Sequence, residues 1–250
     1  MAGRTPSAKR VAVSRQLVLV LASPPGLANI RGMARPPSRP PDPAGPDQPD
    51  SAKPGGKPAR KRRVTVQTAL TGQLLIAMPS MPDARFASAV LYVCAHTDEG
   101  AMALAVNRPL ATPSFGALLQ QLGVDPVPPA RSIRLCQGGP VDHARGFVLH
   151  STDWTGEGSL RVDEATALTA SLDILKAIAG GGGPRLGMLA LGYATWGAGQ
   201  LGREIAGNTW LSAPPDADLL FDDDHATKWR RALAKLRVDP LMLSPLAGHA

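Results

Sequence analysis

A change of composition near residue 64 constrains this chain more than any other feature. Residues 1–63 carry 13 Lys and Arg against 3 Asp and Glu, a net charge of +10, and hold 12 of the 25 Pro. The stretch includes Arg35-Pro36-Pro37-Ser38-Arg39-Pro40-Pro41 and has too little apolar surface to offset the entropy of ordering it, so it is expected to be a disordered, basic, Pro-rich tail. Residues 64–250 carry a net charge of −3 and are expected to form a single compact domain. The basic balance of the whole chain, +7, therefore belongs to the tail.

The tail ends in Lys57-Pro58-Ala59-Arg60-Lys61-Arg62-Arg63. Such a run can hold the phosphates of nucleic acid or an acidic membrane surface without specificity, although a solubilising arm with no dedicated partner is the simpler reading. Leu17 to Ala22 is an apolar run of six residues, shorter than the roughly 7–15 of a signal-peptide core, so secretion is not expected. Met33 offers a second start, with residues 1–32 then outside the protein. No run approaches the roughly 20 residues of a membrane span. The two Cys, Cys94 and Cys136, make no disulfide framework, C-x-x-C pair or zinc ribbon, and a reducing cytoplasm is the simplest compartment.

Hydrophobic periodicity outlines the core. Gln73-Leu74-Leu75-Ile76-Ala77-Met78, between Gly72 and Pro79, predicts a buried strand. Ser88 to His96 and Ala101 to Val106 predict a β-hairpin, with Val90, Tyr92, Cys94 and His96 on one side at period 2. Phe115, Leu118, Leu119 and Leu122 mark a short helix capped by Ser114 and closed by Gly123. Ile133 with Leu135, then Arg145 to His150, predict two strands around a turn at Gln137-Gly138-Gly139-Pro140. Leu168, Leu172, Leu175 and Ile178 predict a helix capped by Asp163, Thr169 or Ser171. Met188 to Leu191, Thr209 to Ser212 and Asp218 to Phe221 are strand-like. The last helix is expected to start at Asp222-Asp223-Asp224 and to bury Trp229, Leu233 and Leu236. With strands in the majority and no steady βαβ alternation, the expected fold class is α+β, a mixed β-sheet with packed helices.

Leu191 to Leu211, LGYATWGAGQLGREIAGNTWL, gathers two of the four Trp, one of the two Tyr and five Gly. Gly192, Gly197 and Gly199 allow backbone angles or close approaches that a Cβ forbids. Leu201 and Ile205 form an apolar helical stripe, and Gln200, Glu204 and Asn208 a polar one, with Gly207-Asn208 as the stop. Gly197 to Gly202 formally matches G-x-G-x-x-G, but four residues separate it from the preceding strand and no βαβ unit follows, so the match is weak.

Other constellations have plain structural readings. Cys94 and His96 can be read as a thiolate and base or half a metal site, yet a Cys inside an apolar run is more often a small core residue. Asp142, His143 and His150 lack the usual metal-ligand spacing, and Asp222 to His225 is explained by capping alone. Nucleophile-elbow, HExxH and P-loop motifs are absent from the sequence.

Several segments together resemble the bacterial YqgE/AlgH family. They are Gln73 to Pro79, Phe86 to His96, Gly100-Ala101-Met102, Asn107-Arg108-Pro109, Gly138-Gly139-Pro140-Val141 and Arg145 to His150, then Ser171-x-Asp173-x-Leu175, Leu191-Gly192-Tyr193, Ala198 to Leu201, Glu204-Ile205, Asn208-x-Trp210-Leu211 and the Trp229 helix. The resemblance runs over about residues 70–250 in order and approximate spacing. It implies a compact α+β fold with a mixed sheet, a cytosolic location and no established reaction. Its members carry a transcriptional-regulator label resting more on genetics than on a visible DNA-binding element. Thr195 stands where the family usually has Gly, and Gly202 where it usually has Glu.

The expectation is therefore a non-enzymatic regulatory or binding protein, without cofactor or metal, whose partner is a protein or a small molecule. Asn107, Arg108, Arg145, His150, Tyr193, Trp196, Gln200 and Glu204 are expected to share one polar, partly aromatic surface, the arginines meeting an anionic group. No helix-turn-helix pattern is present and the core is acidic, so DNA contact is left to the tail. Enzymatic use of Cys94 and His96, and nucleotide binding at Gly197 to Gly202, are the alternatives.

Overall fold

The computed structural model describes residues 70–125, 131–239 and 243; the expectations for residues 1–63 lie outside them. In chain order the elements are β1 (Leu74–Ala77), a 3-10 turn (Ala84–Phe86), β2 (Val90–Thr97), β3 (Gly100–Ala105), α1 (Phe115–Gln121), β4 (Arg134–Gln137) and β5 (Val141–Ser151). There follow β6 (Ser159–Arg161), β7 (Thr166–Thr169), α2 (Leu172–Ala179), β8 (Gly187–Gly197), α3 (Gln200–Ala206), β9 (Trp210–Ala213), α4 (Ala217–Phe221) and α5 (Lys228–Lys235). The fold is α+β, one nine-stranded sheet ordered β6-β7-β5-β8-β3-β2-β1-β9. Only β4 breaks the antiparallel pattern among the described strands, running parallel beside β8, so the sheet is mixed. Among the described residues no helix is long and apolar enough to cross a membrane.

The spine is β8. Its first half pairs with β4 and β5, and its second half with β3, which joins two smaller sheets into one. One face, carrying Leu74, Ile76, Tyr92, Leu104, Phe147, Met188 and Tyr193, packs under α4 and α5. The opposite face divides. Leu189 and Leu191 sit beneath α1 and α2, while Leu91, Ala103, Ala194, Trp196 and Trp210 sit beneath α3 and the 3-10 turn.

Gly192 decides which residues of β8 reach each face. Strict alternation from Met188 and Ala190 would send Ala194 to their face, but Gly192 adopts φ +75° and inverts the phase, so Tyr193 takes that face and Ala194 and Trp196 the other. A Cβ at Gly192 would lie 2.7 Å from the Gly139 carbonyl oxygen, which closes the position to other residues.

The expected hairpin β2–β3 forms, turning at Asp98-Glu99, and Ser114 caps α1 by accepting from the Ala117 amide at 3.2 Å. Three expectations fail locally. Leu168 and Thr169 belong to β7, and Asp163 is drawn away from capping because it binds the buried Tyr92 hydroxyl at 2.6 Å. Asp218 to Phe221 is helical, since Asp216 caps it by accepting from the Leu219 amide at 2.7 Å. The last helix begins at Lys228, because Asp222 and Asp223 are held by Arg231 and Arg134 instead of capping it.

Candidate functional site

Two clefts open side by side over the α3 half of the sheet. The first, about 350 Å³, is lined by Arg85, Phe86, Arg108, Gln137, Pro140 and His143 among others. The second, about 330 Å³, is lined by Asp83, Arg85, Phe86, Pro140, Thr195, Trp196, Gln200, Glu204, Thr209 and Trp210 among others. Arg85, Phe86 and Pro140 line both, so the two clefts adjoin as one grooved surface, with Arg108 at one end and the Glu204 carboxylate at the other.

Glu204 organises the second end. Its Oε2 accepts from the indole nitrogens of Trp196 at 2.8 Å and Trp210 at 2.9 Å, and its Oε1 accepts from the Gln200 amide at 2.8 Å. Both indoles are almost fully buried and meet edge to face at 6.0 Å, with Phe86 against Trp210 at 5.5 Å. The helical spacing of Gln200 and Glu204 explains why one carboxylate meets both the helix and the strand. The Gly199 N-cap, at φ +65°, turns the chain from β8 into α3 tightly enough to fold that polar stripe back over Trp196.

Asn107 and Arg108 shape the groove from behind. Asn107 donates to the Ser88 carbonyl and accepts from the Val90 amide, both at 2.9 Å, and Arg108 donates to the Ala87 carbonyl. These bonds clamp the residues after the 3-10 turn, the segment that carries Arg85 and Phe86. Of the eight residues expected on one surface, Arg108, Trp196, Gln200 and Glu204 line the groove.

The other four lie elsewhere. Asn107 is spent on the clamp. Tyr193 is buried on the opposite face against Phe147, 5.8 Å away, with its phenol pKa raised by burial and opposed by Arg145 beside it. His150 is fully buried far along β5, bonded to Thr169 at 2.9 Å and the Ser151 carbonyl at 2.8 Å, and its pKa is lowered by burial. Sequence reading missed Arg85, Phe86, Pro140, His143 and Trp210 as groove residues. Only the aromatic character of Phe86 and Trp210 marked them, because their meeting depends on β1 pairing with both β2 and β9.

Cys94 and His96 do not share a face. A bulge shifts the register between Val93 and Ala95, so His96 pairs with Ala101 on the α3 side while Cys94 points into the core under α4 and α5. Burial pushes the Cys94 thiol far above its ordinary range, and Cys136 upward as well. Thiol reagents are accordingly expected to label neither Cys until the protein unfolds; native-state labelling faster than global opening, followed by mass spectrometry, would contradict this. At Gly197 to Gly202 the Gly197 amide, which a phosphate would need, donates to the Gln200 side chain at 3.1 Å. The strand before it is antiparallel to its neighbour β3, unlike a dinucleotide-binding unit. Among the described residues, no three of His, Cys, Asp and Glu cluster closely enough to hold a metal ion.

A second charged cluster locks α4 and α5 to the sheet. Arg134 donates to the Leu220 carbonyl at 2.9 Å, to the Phe221 carbonyl and to Asp223 at 2.8 Å, cations placed where the carbonyls of α4 end. Lys228 is wholly buried, 3.5 Å from Asp222, and burial with the neighbouring Arg134 lowers its pKa to about 8 against Asp222. The ordinary value, 10.5, is higher, so between these limits the folded chain holds fewer protons than the unfolded chain. Stability therefore rises with pH from about 8 to 10.5, by up to about 3 kcal/mol from this group. Lys228→Met is expected to remove that increment. Urea melts of both proteins at the two limits check it, and an equal rise in the variant would assign the effect elsewhere.

Comparison with known proteins agrees with this architecture. A family model described as AlgH-like matches residues 74–241. A UPF0301 protein of Gluconobacter oxydans is 52% identical over 187 residues, 74% of this chain and 100% of its own length. One from Rhodospirillum rubrum is 51% identical over 181 residues, covering 72% and 94%. The solution structure of the AlgH protein from Pseudomonas aeruginosa superposes with a TM-score of 0.59 at 40% identity, over 79% of this chain and all of that one. A Corynebacterium diphtheriae crystal structure at 18% identity, TM-score 0.53, shares the fold over 72% of this chain and 92% of its own. With a family match across most of the described core and relatives at half identity over nearly their whole length, this chain belongs to the AlgH-like family.

Proposed function

We propose that this protein is a non-catalytic binding protein whose recognition surface is the joined groove, and that any effect on transcription runs through the bound partner. The carrying observation is the fixed Glu204 carboxylate, held by two indoles and an amide at the wall of an otherwise open cleft. A carboxylate immobilised by three donors is already ordered before any partner arrives, so binding to it costs little conformational entropy. The groove also presents opposite charge at its two ends, Arg108 at one and Glu204 at the other, which sets the orientation of whatever binds. Each cleft lies at the small end of the usual ligand-pocket range of about 300–1,000 Å³. The residues 64–250 carry net −3, which disfavours contact of that region with nucleic acid.

Pro140 stands between the clefts, so Pro140→Trp is expected to fill the groove without touching the core. A thermal-shift screen of the full chain with metabolites, small anions, amines and nucleotides reads binding as a rise in melting temperature, following RT ln(1 + [L]/Kd). Ligands that stabilise the wild type and not Pro140→Trp support the groove. A ligand that stabilises both equally overturns it.

A further inference from the structure

We propose that the Glu204 end of the groove is a binding site for a primary ammonium group, an inference that rests on the groove reading above and names its ligand chemistry. A carboxylate has about four acceptor positions. The two indoles occupy both positions on Oε2, and Gln200 one on Oε1, so one position on Oε1 stays open. Glu204 is half-buried and lines the cleft, which leaves that position open to an incoming group.

All three donors are neutral. Among the described residues no Lys, Arg or His forms an ion pair with Glu204. Arg85 lines the same cleft, but its guanidinium is committed to Asp83 at 2.7 Å. The site is thus a carboxylate without a counter-charge, set among Phe86, Trp196 and Trp210, where a lower local dielectric strengthens its pull on a cation. A single open acceptor selects the kind of cation. A guanidinium delivers two parallel N–H bonds and would have to displace the Gln200 amide, whereas an ammonium donates from one point. The hydroxyl oxygens of Thr195 and Thr209 stand in the same lining for its remaining hydrogens.

The indole N–H groups of Trp196 and Trp210 report directly on this carboxylate. Full-length protein labelled with nitrogen-15 at Trp is titrated with n-butylammonium chloride, n-butylguanidinium chloride and n-butanol. The ammonium is expected to shift those two indole signals and leave those of Trp154 and Trp229 in place, with the guanidinium weaker by roughly tenfold and butanol inert. Glu204→Gln keeps an oxygen for both indoles and is expected to weaken ammonium binding at least roughly tenfold. Thr209→Lys brings a tethered ammonium into the cleft and is expected to shift the two signals with no amine added. Equal binding of butanol, unchanged affinity in Glu204→Gln, or unmoved indole signals in Thr209→Lys overturns the proposal.

A quadruple variant, Lys9→Gln, Lys53→Gln, Lys57→Gln and Lys61→Gln, which removes every lysine of residues 1–63, separates the sources. Indole signals that move in it without added amine place the chain's own lysines at the site; unmoved signals with unchanged butylammonium binding assign the site to an external amine. Where Pro140→Trp abolishes ligand binding and Glu204→Gln does not, the groove stands and the ammonium assignment falls.

Discussion

Ala at position 139 is expected to cost this domain about 4 kcal/mol or more, or to prevent its folding altogether. The Gly138-Gly139 pair passes directly over β8 between β4 and β5. A Cβ on Gly139 would stand 2.1 Å from the Tyr193 carbonyl carbon and 2.4 Å from the Ala194 nitrogen, and both are backbone atoms of the strand at the centre of the sheet. Neither can yield as a side chain would. For a domain of this size such a loss lowers the melting temperature by roughly 8–16 °C. Gly116→Ala is the control, since nothing lies within 4 Å of its Cβ and α1 welcomes an alanine. A Gly139→Ala protein melting within about 2 °C of the wild type would show that the crossing of the two backbones is looser than described.

Glu204→Ala is the second large effect, and it separates the two roles of one residue. Removing the carboxylate leaves the buried Trp196 and Trp210 indole nitrogens without an acceptor, along with the Gln200 amide. Each orphaned buried donor costs about 1–3 kcal/mol, so a total of about 3–4 kcal/mol is expected, or roughly 6–16 °C. Glu204→Gln keeps one oxygen for both indoles and should lose much less. Parallel thermal melts of the two variants check this, with tryptophan emission shifted to the red only in the alanine protein. Equal losses would mean that the charge of Glu204, and not its acceptor capacity, supports the two indoles.

Much of the fold was legible where local chemistry decides it. The hairpin followed from two apolar runs around Asp98-Glu99, and α1 from Ser114, a helical stripe and Gly123, because turns and caps are made by near neighbours. Short strands with little alternation were not legible, and β6 and β7 escaped. Leu168 sat at helical spacing from Leu172, yet sheet pairing of Leu149 with Leu168 took precedence over that spacing. Asp216 was a legible cap in principle, and the apolar Leu219-Leu220-Phe221 run concealed it.

The site was legible by half for a related reason. Gln200 and Glu204 belong together through helical spacing, which the sequence carries, and Trp196 comes with them because a Gly-rich turn folds the helix back on its strand. Tyr193 and Trp196 stand three residues apart on one strand, so plain alternation puts them on opposite faces, whereas His96 is set off from Cys94 by one bulged residue. A single phase change moves every later side chain to the other face, and periodicity alone gives no warning of it.

From its residues alone this chain is bound to a basic, Pro-rich segment followed by an α+β core with a mixed sheet, and to a dense aromatic and glycine stretch beside Glu204, since composition, caps and periodicity are local properties. Tertiary structure alone decided that Arg85, Phe86, Arg108, Pro140, Trp196, Glu204 and Trp210 share one groove. Their meeting depends on β1 lying between β2 and β9 and on β8 inverting its phase at Gly192, pairings between segments far apart in sequence that no local preference encodes.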